Sequence, residues 1–249
     1  MNYNPLSLKS KVILVVGASS GIGRATAIEA SKAGAILILV GRNENRLQEV
    51  IEELDGDNNK YIVADITTPV GVESILASLT TIDGLVLSAG KGLTLPVQFA
   101  TREKFDDIFN VNLFSQVELL RVIYKKKLIS KGSSIVVISS LGGLKVFSGS
   151  NSIYGASKAA LSSFVKYCAK EFSPRKIRVN AICPGMVNTP LIHRGTLSEE
   201  QLNADMERYP LKRYGEPIDI AHSALFLLSD ASSWITGIDL IVDGGLSIS

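Results

Sequence analysis

Tyr154 and Lys158 stand four residues apart in Tyr154-Gly155-Ala156-Ser157-Lys158. On a helix that spacing puts both side chains on one face, and continuing it reaches Leu161 and Val165, an apolar stripe. An ammonium held beside a phenol favours the phenolate and draws its pKa from about 10 toward neutral. Such a pair can donate a proton to a carbonyl being reduced, or remove one from an alcohol being oxidised. Standing alone, the two residues would read as an amphipathic helix end with a snorkelling lysine.

They do not stand alone. Ser140 closes the apolar run Ile135–Ile138, at the carboxyl edge where open α/β sheets bind ligands, and its hydroxyl can donate to a carbonyl oxygen. Asn112 falls at the seventh step of a helical stripe begun by Phe105, Ile108 and Phe109, so an amide stands where an apolar side chain is expected. A buried amide needs partners, and Asn112 is expected to anchor a water or a backbone carbonyl in an internal network.

A second chemistry-bearing segment is Gly17-Ala18-Ser19-Ser20-Gly21-Ile22-Gly23, between the run Val12–Val16 and a helical stretch carrying Ala25, Ala27, Ile28 and Ala30. Glycines at a strand-to-helix turn let the backbone approach a pyrophosphate, whose charge then meets the helix N-terminus. Gly17–Gly21 also fits G-x-S-x-G, the nucleophile elbow of α/β-hydrolases, with Asp65, Asp83, His193 and His222 available as partners for Ser19. That elbow needs an oxyanion donor from an earlier strand-to-helix loop, and only sixteen residues precede Gly17. Ser163-Phe164-Val165-Lys166 fits S-x-x-K without its companion motifs.

Cofactor choice is read at the next strand. An acidic residue roughly 20 positions past the glycines would hold the adenosine ribose. Here Leu39-Val40-Gly41-Arg42-Asn43 has glycine in that place, followed by arginine. A guanidinium offers a charge-assisted fork to a 2′-phosphate, so NADP(H) is expected over NAD(H), unless Arg42 is simply a solvated loop residue.

The elements that must position these groups follow from hydrophobic periodicity. Val12–Val16, Ile36–Val40, Tyr61–Ala64, Leu85–Leu87, Ile135–Ile138, Val179–Ile182 and Leu240–Val242 each read as a short strand buried on both faces. Helical spacing separates them, as in Leu161, Phe164, Val165, Cys168 and Phe172, ended by Pro174. The alternation implies right-handed crossovers and one doubly wound, mostly parallel seven-stranded α/β (Rossmann) domain over residues 1–249. Residues 186–217 break the rhythm, with only a short helix opening at Ser198 and capped by Gln201; this excursion is expected to form a lid, or else a surface insert.

Composition excludes other classes. The 249 residues are 46% hydrophobic, and 26 Lys+Arg against 24 Asp+Glu leave +2, too balanced for a nucleic-acid protein. No apolar run approaches the roughly 20 residues of a membrane span. Lys9 and Lys11 precede too short an apolar stretch for a signal peptide. Cys168 and Cys183 form neither a metal-ligand spacing nor a disulfide framework, and there is no N-x-[ST] acceptor; a cytoplasmic protein without metal is expected.

From about Lys11 to Gly245 the chain resembles the short-chain dehydrogenase/reductase family, of the 3-oxoacyl-carrier-protein-reductase-like kind. The resemblance rests on GxxxGxG, Asp65, Ser88-Ala89-Gly90, Asn112, Ser140, Tyr154-x-x-x-Lys158, Pro184-Gly185 and Val242-Asp243-Gly244-Gly245. It implies that Tyr154 is the general acid/base, that Lys158 tunes it and binds the nicotinamide ribose, that Ser140 polarises the carbonyl, and that Asn112 supports a proton-relay water. It implies a cofactor site made by Gly17, Ser19, Ser20, Gly21, Ile22, Gly23, Arg42, Asp65, Ile66, Ser88, Ala89, Gly90, Tyr154, Lys158, Pro184, Gly185, Val187 and Thr189, with Asp65 at the adenine and Val187 and Thr189 at the nicotinamide end. The implied substrate is a small carbonyl or alcohol, with Lys131 and Arg175 where carrier-protein reductases receive an acidic partner. The implied assembly is a homotetramer or dimer, with helices around Asn112 and Tyr154 at one interface. Two departures stand out. The family's N-N-A-G is Leu87-Ser88-Ala89-Gly90 here, and the segment from Ser140 to Tyr154 is one residue longer than usual. Leu141, Leu144, Met186, Leu191 and Ile192 fit either an apolar pocket or ordinary packing. A dinucleotide-sensing protein without turnover is the second reading.

Overall fold

The structure, a computed structural model, describes residues 4–192 and 198–248. Seven strands form one sheet: β1 (Val12–Val16), β2 (Ile36–Gly41), β3 (Lys60–Val63), β4 (Ile82–Leu87), β5 (Ile129–Ile138), β6 (Arg178–Pro184) and β7 (Asp239–Val242). The order is β3-β2-β1-β4-β5-β6-β7, and every pairing is parallel. Among the described residues there are eight α-helices: α1 (Gly21–Lys32), α2 (Glu44–Glu52), α3 (Pro69–Ser78), α4 (Arg102–Phe109), α5 (Ser115–Lys125), α6 (Ser152–Phe172), α7 (Glu199–Met206) and α8 (Pro217–Leu228).

Alternation along each central strand builds two cores. On β1, Leu14 and Val16 pack with Leu119, Ile123, Leu161 and Val165 of α5 and α6. Ile13 and Val15 point the other way, toward Ala27 of α1 and Ile220, Ala224 and Leu227 of α8. Period-two side chains on a strand covered twice must be apolar at every position, hence the unbroken runs.

The two edge strands depart from that expectation. Lys60 and Val63 of β3 are exposed, and β7 is half-buried throughout, because an edge strand has a neighbour on one side only. β4 and β5 also begin earlier than their apolar runs. Asp83, second in β4, accepts from the Val12 amide at 3.0 Å, while Ser130, Ser133 and Ser134 interrupt the apolar pattern of β5. Within 186–217, Ser198 and Gln201 form the expected capping box on α7. Val187 and Gly215 add an unforeseen parallel bridge. Among the described residues no helix is long and apolar enough to cross a membrane.

Candidate active site

The strand order reverses direction between β1 and β4, and the candidate residues gather at the carboxyl ends of β1, β4, β5 and β6, the crevice such sheets offer to ligands. Tyr154 lies in the first turn of α6, half-buried, and Lys158 one turn later is buried. The Ser140 hydroxyl lies close enough to the Tyr154 phenol to lower its pKa, and it accepts from the Gly142 amide at 3.1 Å. Gly143 lets this turn press on α6: a Cβ there would stand 2.6 Å from the Ala159 nitrogen and 2.8 Å from the Gly155 oxygen. Behind it, the Ser162 hydroxyl donates to Ser139 at 2.7 Å, and Ser139 donates to the Lys158 carbonyl at 2.9 Å. β5 and α6 are thus joined by side chains as well as by packing.

Electrostatics differ from the expected lowering of the phenol. Burial raises the Tyr154 pKa, with the Ser140 hydroxyl opposing. Burial also lowers Lys158, to about 8. The Lys158 ammonium donates to the Ile138 carbonyl at 2.8 Å and lies 6.0 Å from the Tyr154 ring centre. Desolvation penalises both charged forms and is the largest influence on each.

Asn112 is fully buried in a π turn, Asn110–Phe114, between α4 and α5. Its Oδ1 accepts from the Lys91 amide at 2.8 Å, and its Nδ2 donates to the Lys91 carbonyl and the Ser157 hydroxyl, both at 3.0 Å. Ser157 in turn donates to the Tyr154 carbonyl at 2.7 Å. The amide clamps the exit of β4 to the start of α6.

The glycine loop has the shape of a phosphate cradle. Gly17 has φ +83°, and its Cβ would stand 2.7 Å from the Ala89 nitrogen; a Cβ on Gly23 would stand 2.2 Å from the Gly17 oxygen. Ser20 precedes α1 without a side-chain capping bond, so the first amides of the helix face this loop unclaimed by that hydroxyl. Ile22 packs at the edge of the α1 core.

At the end of β2, a Cβ on Gly41 would lie 3.2 Å from Leu47 and 3.4 Å from the Ser19 side chain, which occupies the ground an acidic residue would take. Arg42 is largely exposed, its guanidinium 3.8 Å from the Asp65 carboxylate. Burial works against ionisation of Asp65, but the Thr67 amide and hydroxyl, at 2.9 and 2.7 Å, together with Arg42 hold the carboxyl below its usual range. Ile66 is buried beside it.

The remaining cofactor candidates close the crevice. The Ser88 amide bonds to Val16, and Gly90 is exposed next to Lys158 and Asn112. Pro184 ends β6, the Gly185 amide bonds to Val242, Val187 is buried, and Thr189 packs against Gly21. Leu191 lies over Gly92, and Leu141, Leu144, Met186 and Ile192 are all held in apolar clusters.

Other candidates lie apart. Lys131 and Arg175 sit at the opposite end of the sheet, at the starts of β5 and β6; the Arg175 guanidinium bonds to the Ile129 carbonyl and covers the Tyr124 ring. The hydrolase partners of Ser19 do not assemble among the described residues. Asp83 holds Val12, Asp65 holds Thr67, and His222 faces Glu29 at 3.6 Å; His193 lies outside them. Burial pushes Cys168 up to about 12 and Cys183 to about 11, leaving both as protonated thiols.

Three residues at the site escaped the sequence reading. Gln116 extends the Asn112 stripe by one more turn, a signal that was present. Ser139 is masked by its neighbour Ser140. Tyr209, fully buried, accepts from the Met186 amide at 3.0 Å from a segment with no periodicity to mark it.

A family model described as Enoyl-(Acyl carrier protein) reductase matches residues 17–247. The chain is 34% identical over 249 residues to the 3-oxoacyl-[acyl-carrier-protein] reductase FabG of Thermotoga maritima, covering 98% of this chain and 100% of that one. It is 33% identical over 242 residues to the L-xylulose reductase of Mus musculus, covering 96% and 98%. Among solved structures, a candidate NAD(P)-dependent gluconate 5-dehydrogenase from Beutenbergia cavernae, carrying NADP at low occupancy, superposes with a TM-score of 0.90 at 31% identity, over 99% of this chain and 100% of that one.

Proposed function

Starting from the membership of this chain in the short-chain dehydrogenase/reductase family, an oxidoreductase family, we propose that it is an NADP(H)-dependent reductase of a ketone or 3-oxoacyl carbonyl. The observation that carries this reading is the convergence of the Ser140 hydroxyl on the Tyr154 phenol with Lys158 one helical turn away. Gly17 and Gly23 let the loop close on its own backbone and on Ala89, where any Cβ would collide, and this tight turn presents the first amides of α1 to a pyrophosphate, so the residues present fit a dinucleotide. Arg42, with Ser19 and Gly41 in place of a carboxylate, supports the 2′-phosphate form.

When bound, the nicotinamide ring supplies the hydride to the carbonyl carbon. Ser140 donates a hydrogen bond to the carbonyl oxygen. Tyr154 delivers the proton as that oxygen becomes an alcohol, and burial suits the task by keeping the phenol protonated at neutral pH. Lys158 stabilises the phenolate left behind and binds the ribose. Asn112 holds Lys91 and, through Ser157, the first turn of α6, and supports the water that returns a proton to Tyr154. Asp65 and Ile66 receive the adenine; Ser88, Ala89, Gly90, Pro184, Gly185, Val187 and Thr189 line the path to the nicotinamide. Residues 186–217 act as the substrate lid.

We assign the protein to the cytoplasm as a homotetramer or dimer acting on small molecules, with an acyl carrier protein as one source of substrate. The buried free thiols support a reducing compartment, and the names of the relatives support a small or carrier-bound carbonyl substrate. The test follows NADPH absorbance with ketones, diketones, ketoses and 3-oxoacyl thioesters. Oxidation of NADPH by one class supports the reading and names the substrate; tight binding without turnover across the panel favours the sensing protein.

A further inference from the structure

Gln116 lies on α5 one helical turn past Asn112 and has no part in the chemistry above. Its side chain is completely buried. Nε2 donates to the carbonyls of Ala89 at 3.0 Å and Asn112 at 2.9 Å, with a longer shared contact to Val111 at 3.4 Å. Oε1 has no partner among the described residues. Flipping the amide would set Oε1 against three carbonyls, so the surroundings fix its orientation. A buried acceptor without a partner is destabilising, which means this residue is held in place by its donor end.

One of the carbonyls it takes has lost its ordinary partner. In the π turn Asn110–Phe114 the Ser115 amide bonds to the Asn110 carbonyl, not to the Val111 carbonyl it would reach in an α-helix. Ser115 covers Val111 through its hydroxyl at 3.1 Å, and Gln116 covers Asn112. The third carbonyl, Ala89, belongs to the run that leaves β4. Its neighbour Gly90 sits between two site groups: a Cβ there would be 3.6 Å from the Lys158 ammonium and 3.8 Å from Asn112 Oδ1. Lys91 is gripped by Asn112. Leu87 and Ser88, which open this run, bring no side-chain amide to brace it.

We propose that Gln116 is a positioning residue that locks the Ala89–Lys91 run to the π turn carrying Asn112, and so fixes the backbone edge on which a dinucleotide and Lys158 meet. This role rests on the dinucleotide-binding reading above. Two variants test it, with NADPH binding followed by fluorescence alongside thermal melting and turnover. Gln116→Met keeps the volume but leaves the Ala89 and Asn112 carbonyls without this donor, so the protein should fold and melt somewhat below the wild-type temperature. Its NADPH affinity and its kcat should each fall about tenfold, the loss of roughly one hydrogen bond, while the substrate KM stays within about twofold. Gln116→Glu should bind NADPH more tightly than Q116M below neutral pH, where a carboxyl among three carbonyls is protonated and can donate one bond, and lose that advantage as pH rises. A purely structural role would move the melting temperature without this pH-dependent recovery. Wild-type affinity and turnover in folded Q116M, or a flat pH response in Q116E, overturns the role alone. A wild-type protein that binds no nicotinamide dinucleotide overturns the functional reading and the role with it.

Discussion

The ammonium of Lys158 is bonded to the carbonyl of Ile138 at 2.8 Å, joining the last residue of β5 to the residue one turn past Tyr154. The bond satisfies the charge only in part, and burial lowers the lysine pKa from 10.5 to about 8. An unfolded lysine therefore binds a proton that the folded one has released across roughly pH 8 to 10. Wherever the unfolded state holds more protons, stability rises with pH. The difference in melting temperature between wild type and Lys158→Met should accordingly shift in favour of wild type as pH is raised from about 7.5 to 10. Differential scanning fluorimetry on both proteins checks this, and a pH-independent difference would contradict a buried lysine of lowered pKa.

The same lysine links cofactor binding to pH. Placing an anionic dinucleotide beside Lys158 favours its charged form, so NADPH binding should take up a proton near pH 8 and weaken above it. Titration calorimetry in buffers of different ionisation enthalpy reads the uptake directly. In Lys158→Met both the uptake near pH 8 and the associated slope in affinity should disappear.

Tyr154→Phe removes the proton donor and leaves the ring in place. Turnover should fall about 10²- to 10⁴-fold, the range typical of a lost general acid, with NADPH affinity little changed. Because burial raises the phenol pKa, the wild-type enzyme should hold its reductive rate across neutral pH, whereas alcohol oxidation, which needs the phenolate, should gain as pH rises. Steady-state profiles in both directions on wild type and Y154F decide it.

Much of this was legible in the residues, for definite reasons. Strands covered on both faces leave unbroken apolar runs, so β1 and β2 could be read almost to the residue, and the four-residue spacing on α6 fixed the shared face of Tyr154 and Lys158. Asn112 was legible as an amide in an apolar stripe. The π turn was not, because it rests on side-chain bonds from Ser115 and Gln116 rather than on periodicity. The direction of the Tyr154 shift was hidden as well: spacing shows that a lysine is near but says nothing of how far both groups are withdrawn from water. Tyr209 meets Met186 from 23 residues further along the chain, a contact no local pattern announces.

Arg42 projects from the end of β2 with the Asp65 carboxylate 3.8 Å away, so its charge is steered rather than neutralised at this exposed position. Arg42→Ala should lower kcat/KM for NADPH about 10- to 100-fold, as loss of a charge-assisted bond implies, and change that for NADH by no more than about twofold. Equal losses with the two cofactors would remove the basis for assigning the 2′-phosphate to this residue.

The closest approach between the Ser140 turn and α6 is made at Gly143. A methyl group there would meet the Ala159 nitrogen at 2.6 Å and the Gly155 oxygen at 2.8 Å, and both are backbone atoms of a helix that cannot yield locally. Gly143→Ala must therefore move the turn outward and draw the Ser140 hydroxyl away from Tyr154, while the glycine loop, across the crevice on β1, is untouched. The expected signature is a divided one. Stability drops about 1–3 kcal/mol from overpacking. NADPH affinity stays close to wild type, and kcat falls more steeply than in a variant of equal stability loss placed in the α1–α8 core, such as Ala224→Gly. Parallel melting, NADPH-binding and turnover measurements separate the two, and a kcat that merely tracks stability in both variants would show that the distance from Ser140 to Tyr154 does not limit the reaction.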